Sequence, residues 1–171
     1  MSNLSLAEAV KLKSVLAKRI QELEEEMYRV SYVEIEKRAK VPKQARTLSM
    51  VEEEIDEIRS DFRLLDKLMY RANIENEIDF NGKALTIVEA IELATQLRAK
   101  ARKFKDFGAA SKEELTYSFG EGTPLVRLAM FEPEEYRLKA LELERQANRL
   151  SNAINSKNYA VELDFDSEKY F

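Results

Sequence analysis

Between Lys37 and Arg46 the sequence reads "KRAKVPKQAR", which places Lys37, Arg38, Lys40, Lys43 and Arg46 within ten residues. Cations this dense can grip anions: nucleic-acid phosphates, an anionic lipid face or an acidic patch on a protein. A second group, "RAKARKFK" from Arg98 to Lys105, holds five cations in eight residues. It falls where a helix should end, so its charges also suit the negative end of the helix dipole. The first group lies in an expected loop and is the better candidate for an anion or partner contact. A purely solvated role for both remains the simpler reading.

The acidic runs Glu24-Glu25-Glu26 and Glu52-Glu53-Glu54 invite a cation-site reading. Neighbours on a helix point about 100° apart, so three in a row cannot converge on one ion. Solvated helix faces explain them, and the second run also suits a helix start. Tyr28, Tyr32, Tyr117, Phe119 and Phe131 flank the expected connections. They could form a stacking or membrane-facing surface, but capping the end of a helical core is the commoner use. Met50, Met69 and Met130 read as core filler.

The chain has no His and no Cys. That removes thiol nucleophiles, disulfides, Cys/His zinc sites and the usual imidazole base. The Glu-x-x-His pairs of di-iron bundles go with them. A carboxylate-only site for a hard cation stays open. "FGEGTP" has two glycines but lacks the lysine and helix start of a phosphate-binding loop. A Ser–Lys dyad stays open too, with nothing to single one out. No catalytic, cofactor-binding or metal residue is nominated, and the expectation is a protein that is not an enzyme and carries no cofactor.

The chain's 171 residues suit one domain, and 44% hydrophobic residues are enough for a core. Four Gly and three Pro favour long uninterrupted elements. A net charge of −4 argues against nonspecific nucleic-acid binding. No segment has the ~18 consecutive apolar residues of a membrane span. "MSNLSLAEAV" lacks the basic start and apolar run of a secretory signal, so a cytoplasmic location is expected.

The elements that must position these residues are written twice. "LSLAEAVKLKSVL" at Leu4 returns as "LTIVEAIELATQL" at Leu85, five of 13 positions being identical. Ser5 with Glu8 and Thr86 with Glu89 each spell a capping box, preceded by Leu4 or Leu85 as a hydrophobic staple. The first helix carries an apolar stripe at Leu6, Val10, Leu16, Ile20, Leu23 and Met27. The matching later helix carries Ile87, Ile91, Leu97, Ala101 and Phe104. Further on, Ile55, Ile58, Phe62, Leu65 and Met69 match Ala140, Leu143, Ala147, Leu150 and Ile154 at 3–4 spacing, which suits coiled-coil-like packing. "NEIDF" at Asn76 matches "VELDF" at Val161. Residues 115–130 read as a β-hairpin and Arg29–Ile35 as a strand, although a helix running on to Arg38 also fits. Asn81-Gly82 reads as a tight turn.

The expected fold is mostly α. It has two quasi-repeated antiparallel helical hairpins in a coiled-coil-like four-helix arrangement, with short β-hairpin and strand additions. The chain reads as a single domain, 1–171, made of repeats 4–80 and 85–165 joined near 81–84. A hairpin with one apolar seam cannot bury it alone, whereas two can bury theirs together.

The stretches "LSLAEAVKLKSVLAKRIQELEEEM", "NGKALTIVEAIELATQLRAKARKF" and "LERQANRLSNAINSKNYAVEL" resemble a family of small bacterial helical proteins labelled septicolysin-like. The resemblance spans nearly the whole chain in the same order. Members carry a tryptophan shortly after the last helix, where this chain has Lys157-Asn158-Tyr159, and this chain continues past Leu163 with "DFDSEKYF". The family label implies a cytolysin and transfers no residue roles. The leading functional expectation is a non-enzymatic structural or protein-interaction module that forms a homo-oligomer. A membrane-active or lipid-binding protein is the alternative. Nucleic-acid binding through Lys37–Arg46 is the third reading.

Overall fold

The capping boxes close as the spacing requires. In the computed structural model, which describes residues 4–116 and 122–170, Ser5 accepts from the Glu8 N–H at 3.2 Å and Glu8 accepts from the Ser5 N–H at 2.9 Å. Thr86 and Glu89 repeat the exchange at 3.3 and 2.9 Å. Both staple residues, Leu4 and Leu85, are buried. The helices they open are α1, Leu6–Ser31, and α3, Ile87–Gly108. Thr47 caps α2, Leu48–Glu75, and Pro133 starts α4, Pro133–Ala160. Pro suits a first helical position, where its missing N–H would have had no partner.

Three antiparallel strand pairs complete the described residues. β1, Leu4–Ser5, pairs with β6, Glu162–Leu163; β2, Glu77–Phe80, pairs with β3, Lys83–Thr86; β4, Glu113–Thr116, pairs with β5, Leu125–Leu128. At the β2–β3 turn Asn81 has φ 53° and Gly82 φ 77°, the two left-handed positions of a tight hairpin. The fold is mostly α with small β additions, as the periodicity predicts.

The chain divides into two compact units, Met1–Asn76 with Lys157–Phe171, and Glu77–Ser156. The strand that closes each repeat pairs with the strand that opens the other: β2 with β3, and β6 with β1.

In the first unit, α1 and α2 pack antiparallel and are joined by ion pairs of Lys13 with Asp66, Arg19 with Glu54 at 2.7 Å, and Glu24 with Arg59. The core takes Leu12, Leu16, Leu23, Val51, Ile55 and Leu65. Past β6, Phe165 and Ser167 are buried in turn, and Lys169 reaches Glu57 at 3.0 Å and Asp61 at 2.5 Å on α2. In the second unit, Ala94, Ala101, Ala140 and Ala147 are buried. Small side chains let helices approach closely. At Gly108 a Cβ would come within 2.7 Å of the Arg137 Cα, so only glycine permits that contact.

Several expectations need correction. Arg29–Ile35 is not a strand, nor does a helix reach Arg38: α1 ends at Ser31 and residues 32–36 take no regular form. The alternation there has no neighbouring strand to pair with, and Pro42 disfavours helix at Val41. The stripe on α1 passes through Leu6, Ala9, Leu12, Leu16 and Leu23, leaving Val10 exposed and Ile20 and Met27 only half-buried; on α3, Ala90 is buried and Ile91 exposed. Close packing selects alanine at the contact and leaves the branched neighbour on the flank. Met50 and Met130 are exposed rather than core filler.

Candidate functional site

The connection between α1 and α2 carries the five nominated cations. Residues 32–46 are irregular, with a turn at Lys37–Arg38 in which the Ala39 N–H donates to the Glu36 carbonyl at 2.9 Å. Arg38 holds φ at 74°, an uncommon conformation for a residue with a side chain. Gln44 ties the segment back to α1 by donating to the Val30 carbonyl at 2.7 Å.

The structure separates the cations into two groups. Arg46 is bound by Glu26 and Glu54, and Glu54 also accepts from Arg19. Hydrogen bonds from Arg46 and then Arg19 hold the Glu54 carboxyl below its ordinary range, and those to Glu26 and Glu54 raise Arg46. Its charge is therefore already compensated, and it anchors the connection to both helices. Lys37, Arg38, Lys40 and Lys43 are exposed and make no ion pair among the described residues. Glu34 and Glu36 are the acids within the same segment.

Apolar side chains accompany the free cations. Tyr28 and Tyr32 are 77% and 81% exposed, and Val41 is 68% exposed. Tyr32, Val33, Val41 and Pro42 line an open groove of about 560 Å³ together with Arg29, Val30, Gln44, Arg46 and Thr47. The sequence marked the tyrosines as end caps of a core; they are instead surface. Phe131 does join a cap, in edge-on contact with Phe107 at 5.3 Å and Tyr136 at 5.3 Å, and Phe104 meets Tyr136 at 4.9 Å. Tyr117, Phe119 and Gly120 lie outside the described residues.

The acidic runs feed ion pairs: Glu24 meets Arg59 between the helices, and Glu26 and Glu54 meet Arg46 of the connection. Glu25, Glu52 and Glu53 stay exposed. Among the described residues no group of three or more His, Cys, Asp or Glu is placed to hold a metal ion. Of the second basic group, Arg98 donates to Ser151 and Lys100 stands over the Phe104 ring at 5.4 Å.

The second unit offers a smaller surface, the β4–β5 hairpin. Every described residue of its strands is exposed. The register Glu113↔Leu128 and Leu115↔Val126 puts Glu113, Leu115, Val126 and Leu128 on one face and Glu114, Thr116, Leu125 and Arg127 on the other. Strand alternation of this kind normally marks a face meant to be covered. A cleft of about 510 Å³ bounded by Phe107, Glu114, Arg127, Met130 and Phe131 runs beside it.

The C-terminal segment is a contact that sequence reading passed over. Tyr170 donates its hydroxyl to Asp61 beside Lys169. Burial, then that hydrogen bond, pushes the Tyr170 phenol up to about 12. Burial works to raise Asp61, yet the hydrogen bonds from Lys169 and Tyr170 outweigh it and leave its carboxyl lowered. The alternation of Val161, Leu163, Phe165 and Ser167 was the available signal.

No helix among the described residues is long and apolar enough to cross a membrane. No family model and no curated protein matches the chain. A solved structure described as a functionally unknown conserved protein from Corynebacterium diphtheriae is similar to it, with a TM-score of 0.60 and 21% identity over 95% of this chain and 100% of that one. At that identity the likeness establishes a shared mostly helical fold.

Proposed function

We propose that this protein is a non-enzymatic interaction module that associates with itself and presents its connections as contact surfaces. The observation that carries the reading is that each connection gathers several exposed apolar side chains, in addition to those such as Tyr70 and Ile74 along the helices. The seams are occupied, with Ile55, Leu65, Ala147 and Leu150 buried, so they are not free for another chain. Tyr32, Val33 and Val41 on one connection, with Tyr28 at the end of α1 before it, and Leu115, Val126, Leu128 and Met130 on the other, are open to water. Exposed groups of this kind, rimmed by charge, mark contact sites.

The absence of His and Cys from the whole chain supports the non-enzymatic half of the reading. Light scattering over a dilution series of the full chain tests the other half. The expected result is a mass that falls from oligomer toward monomer on dilution. A monomer throughout the micromolar range contradicts it.

A further inference from the structure

We infer that the α1–α2 connection is the face through which two copies of this chain pair, about a two-fold axis. This rests on the self-association proposed above and gives it a location. Two arguments carry it, one of area and one of charge.

Tyr28, Tyr32, Val33, Val41 and Met50 are between 50% and 81% exposed. With about 200 Å² for a tyrosine, they present roughly 600 Å² of side-chain surface. The stems of the neighbouring lysines extend that patch, toward the about 800 Å² per partner of a standard interface. On the β4–β5 hairpin, Leu115, Val126 and Leu128, with Met130 next to them and the charged Glu113 among them, offer roughly 400 Å², less than the α1–α2 patch. Area therefore selects the α1–α2 connection.

Charge then selects the occupant. Among the described residues, Lys37, Arg38, Lys40 and Lys43 in the connection make no ion pair, nor do Glu34 and Glu36 beside them or Glu25, Glu52 and Glu53 on the flanking helices. Glu25 lies three residues before Tyr28, and Glu53 three after Met50, so each acid shares a helix face with an exposed apolar side chain. A two-fold axis requires a patch to complement itself, residue i meeting j and j meeting i. A surface bearing both signs around an apolar centre meets that condition. An anionic lipid face or a nucleic acid would use the cations and be repelled by the acids beside them.

The test is a pair of charge reversals in the full chain, followed by sedimentation velocity. Lys40→Glu with Lys43→Glu, and separately Glu52→Lys with Glu53→Lys, should each weaken the dimer by about ten-fold or more, because like charges then face each other across the axis. Mixing the two proteins should restore dimerisation as a heterodimer. Tyr32→Glu with Val41→Glu should abolish pairing; both side chains are exposed, so far-ultraviolet circular dichroism should stay unchanged. A wild-type dimer that survives Tyr32→Glu with Val41→Glu, or dissociates only on Leu128→Glu, overturns the location and leaves self-association standing. A wild-type protein that is monomeric overturns both. If that monomer co-sediments at low salt with vesicles containing phosphatidylserine, the patch belongs to a lipid surface instead.

Discussion

Ser5 and Thr86 do the same work at the start of two helices, each closing a reciprocal pair of hydrogen bonds with a glutamate three residues on. Replacing either by alanine should cost about 1 kcal/mol in urea unfolding, since the helix then loses an acceptor for a free N–H. Truncating Leu16, which is fully buried, should cost about 2–5 kcal/mol through lost burial and the cavity left behind. These residues were legible in the sequence because caps depend on local chemistry at fixed spacing. Val10 and Ala9 were not. Both are apolar and adjacent, and only the distance to the neighbouring helix decides that Ala9 goes inside and Val10 out. That distance is a tertiary quantity, absent from any window of sequence. Arg46 and Lys43 are alike in type and near in sequence, yet one is bound by Glu26 and Glu54 and the other is free. Nothing in "KRAKVPKQAR" separates them, because their acids come from other elements.

Helix α3 ends at Gly108, where a side chain would strike the backbone of Arg137. Gly108→Ala should destabilise the protein by about 1–3 kcal/mol, read as a lower denaturant midpoint at unchanged slope. Gly122→Ala, with open space around it, should be close to neutral. The α1–α2 pair has its own signature in acid. The Glu54 carboxyl is held below its ordinary 4.5, so the stability it contributes is complete above pH 4.5 and is lost as pH falls through its lower folded value. Melting temperature should therefore drop on acidification below that point, and Glu54→Gln should flatten part of the decline. At the other end of the scale, the raised Tyr170 phenol favours the neutral hydroxyl. Its contribution should be full below pH 10.0, the ordinary value, and disappear toward about 12, with Tyr170→Phe removing the alkaline step. The helices themselves were readable from their 3–4 spacing over more than twenty residues. The strand expected at Arg29–Ile35 failed because alternation alone does not supply a partner strand, whereas near 115–130 the strands Glu113–Thr116 and Leu125–Leu128 supply each other's partner, the first beginning two residues before the expected bound.

At the scale of the molecule, the phrases repeated in the sequence fall on elements that occur in the same order twice. Each repeat lays down helix, connection, helix and strand, and each closing strand pairs with the opening strand of the other repeat. The two connections are where the repeats differ most, one basic and irregular, the other a hairpin. Function was less legible than fold for that reason: contact surfaces depend on which side chains remain outside after packing, and the sequence assigned Tyr28, Tyr32 and Met50 to the interior. The account stands on the claim that the exposed side chains of the α1–α2 connection are covered by a second copy of the chain. Hydrogen exchange read by mass spectrometry, on dilute and concentrated samples of the same protein, tests it most directly. Peptides spanning Tyr28 to Met50 should exchange more slowly when concentrated, while those of the β4–β5 hairpin should not change. Exchange independent of concentration along the whole chain would contradict it.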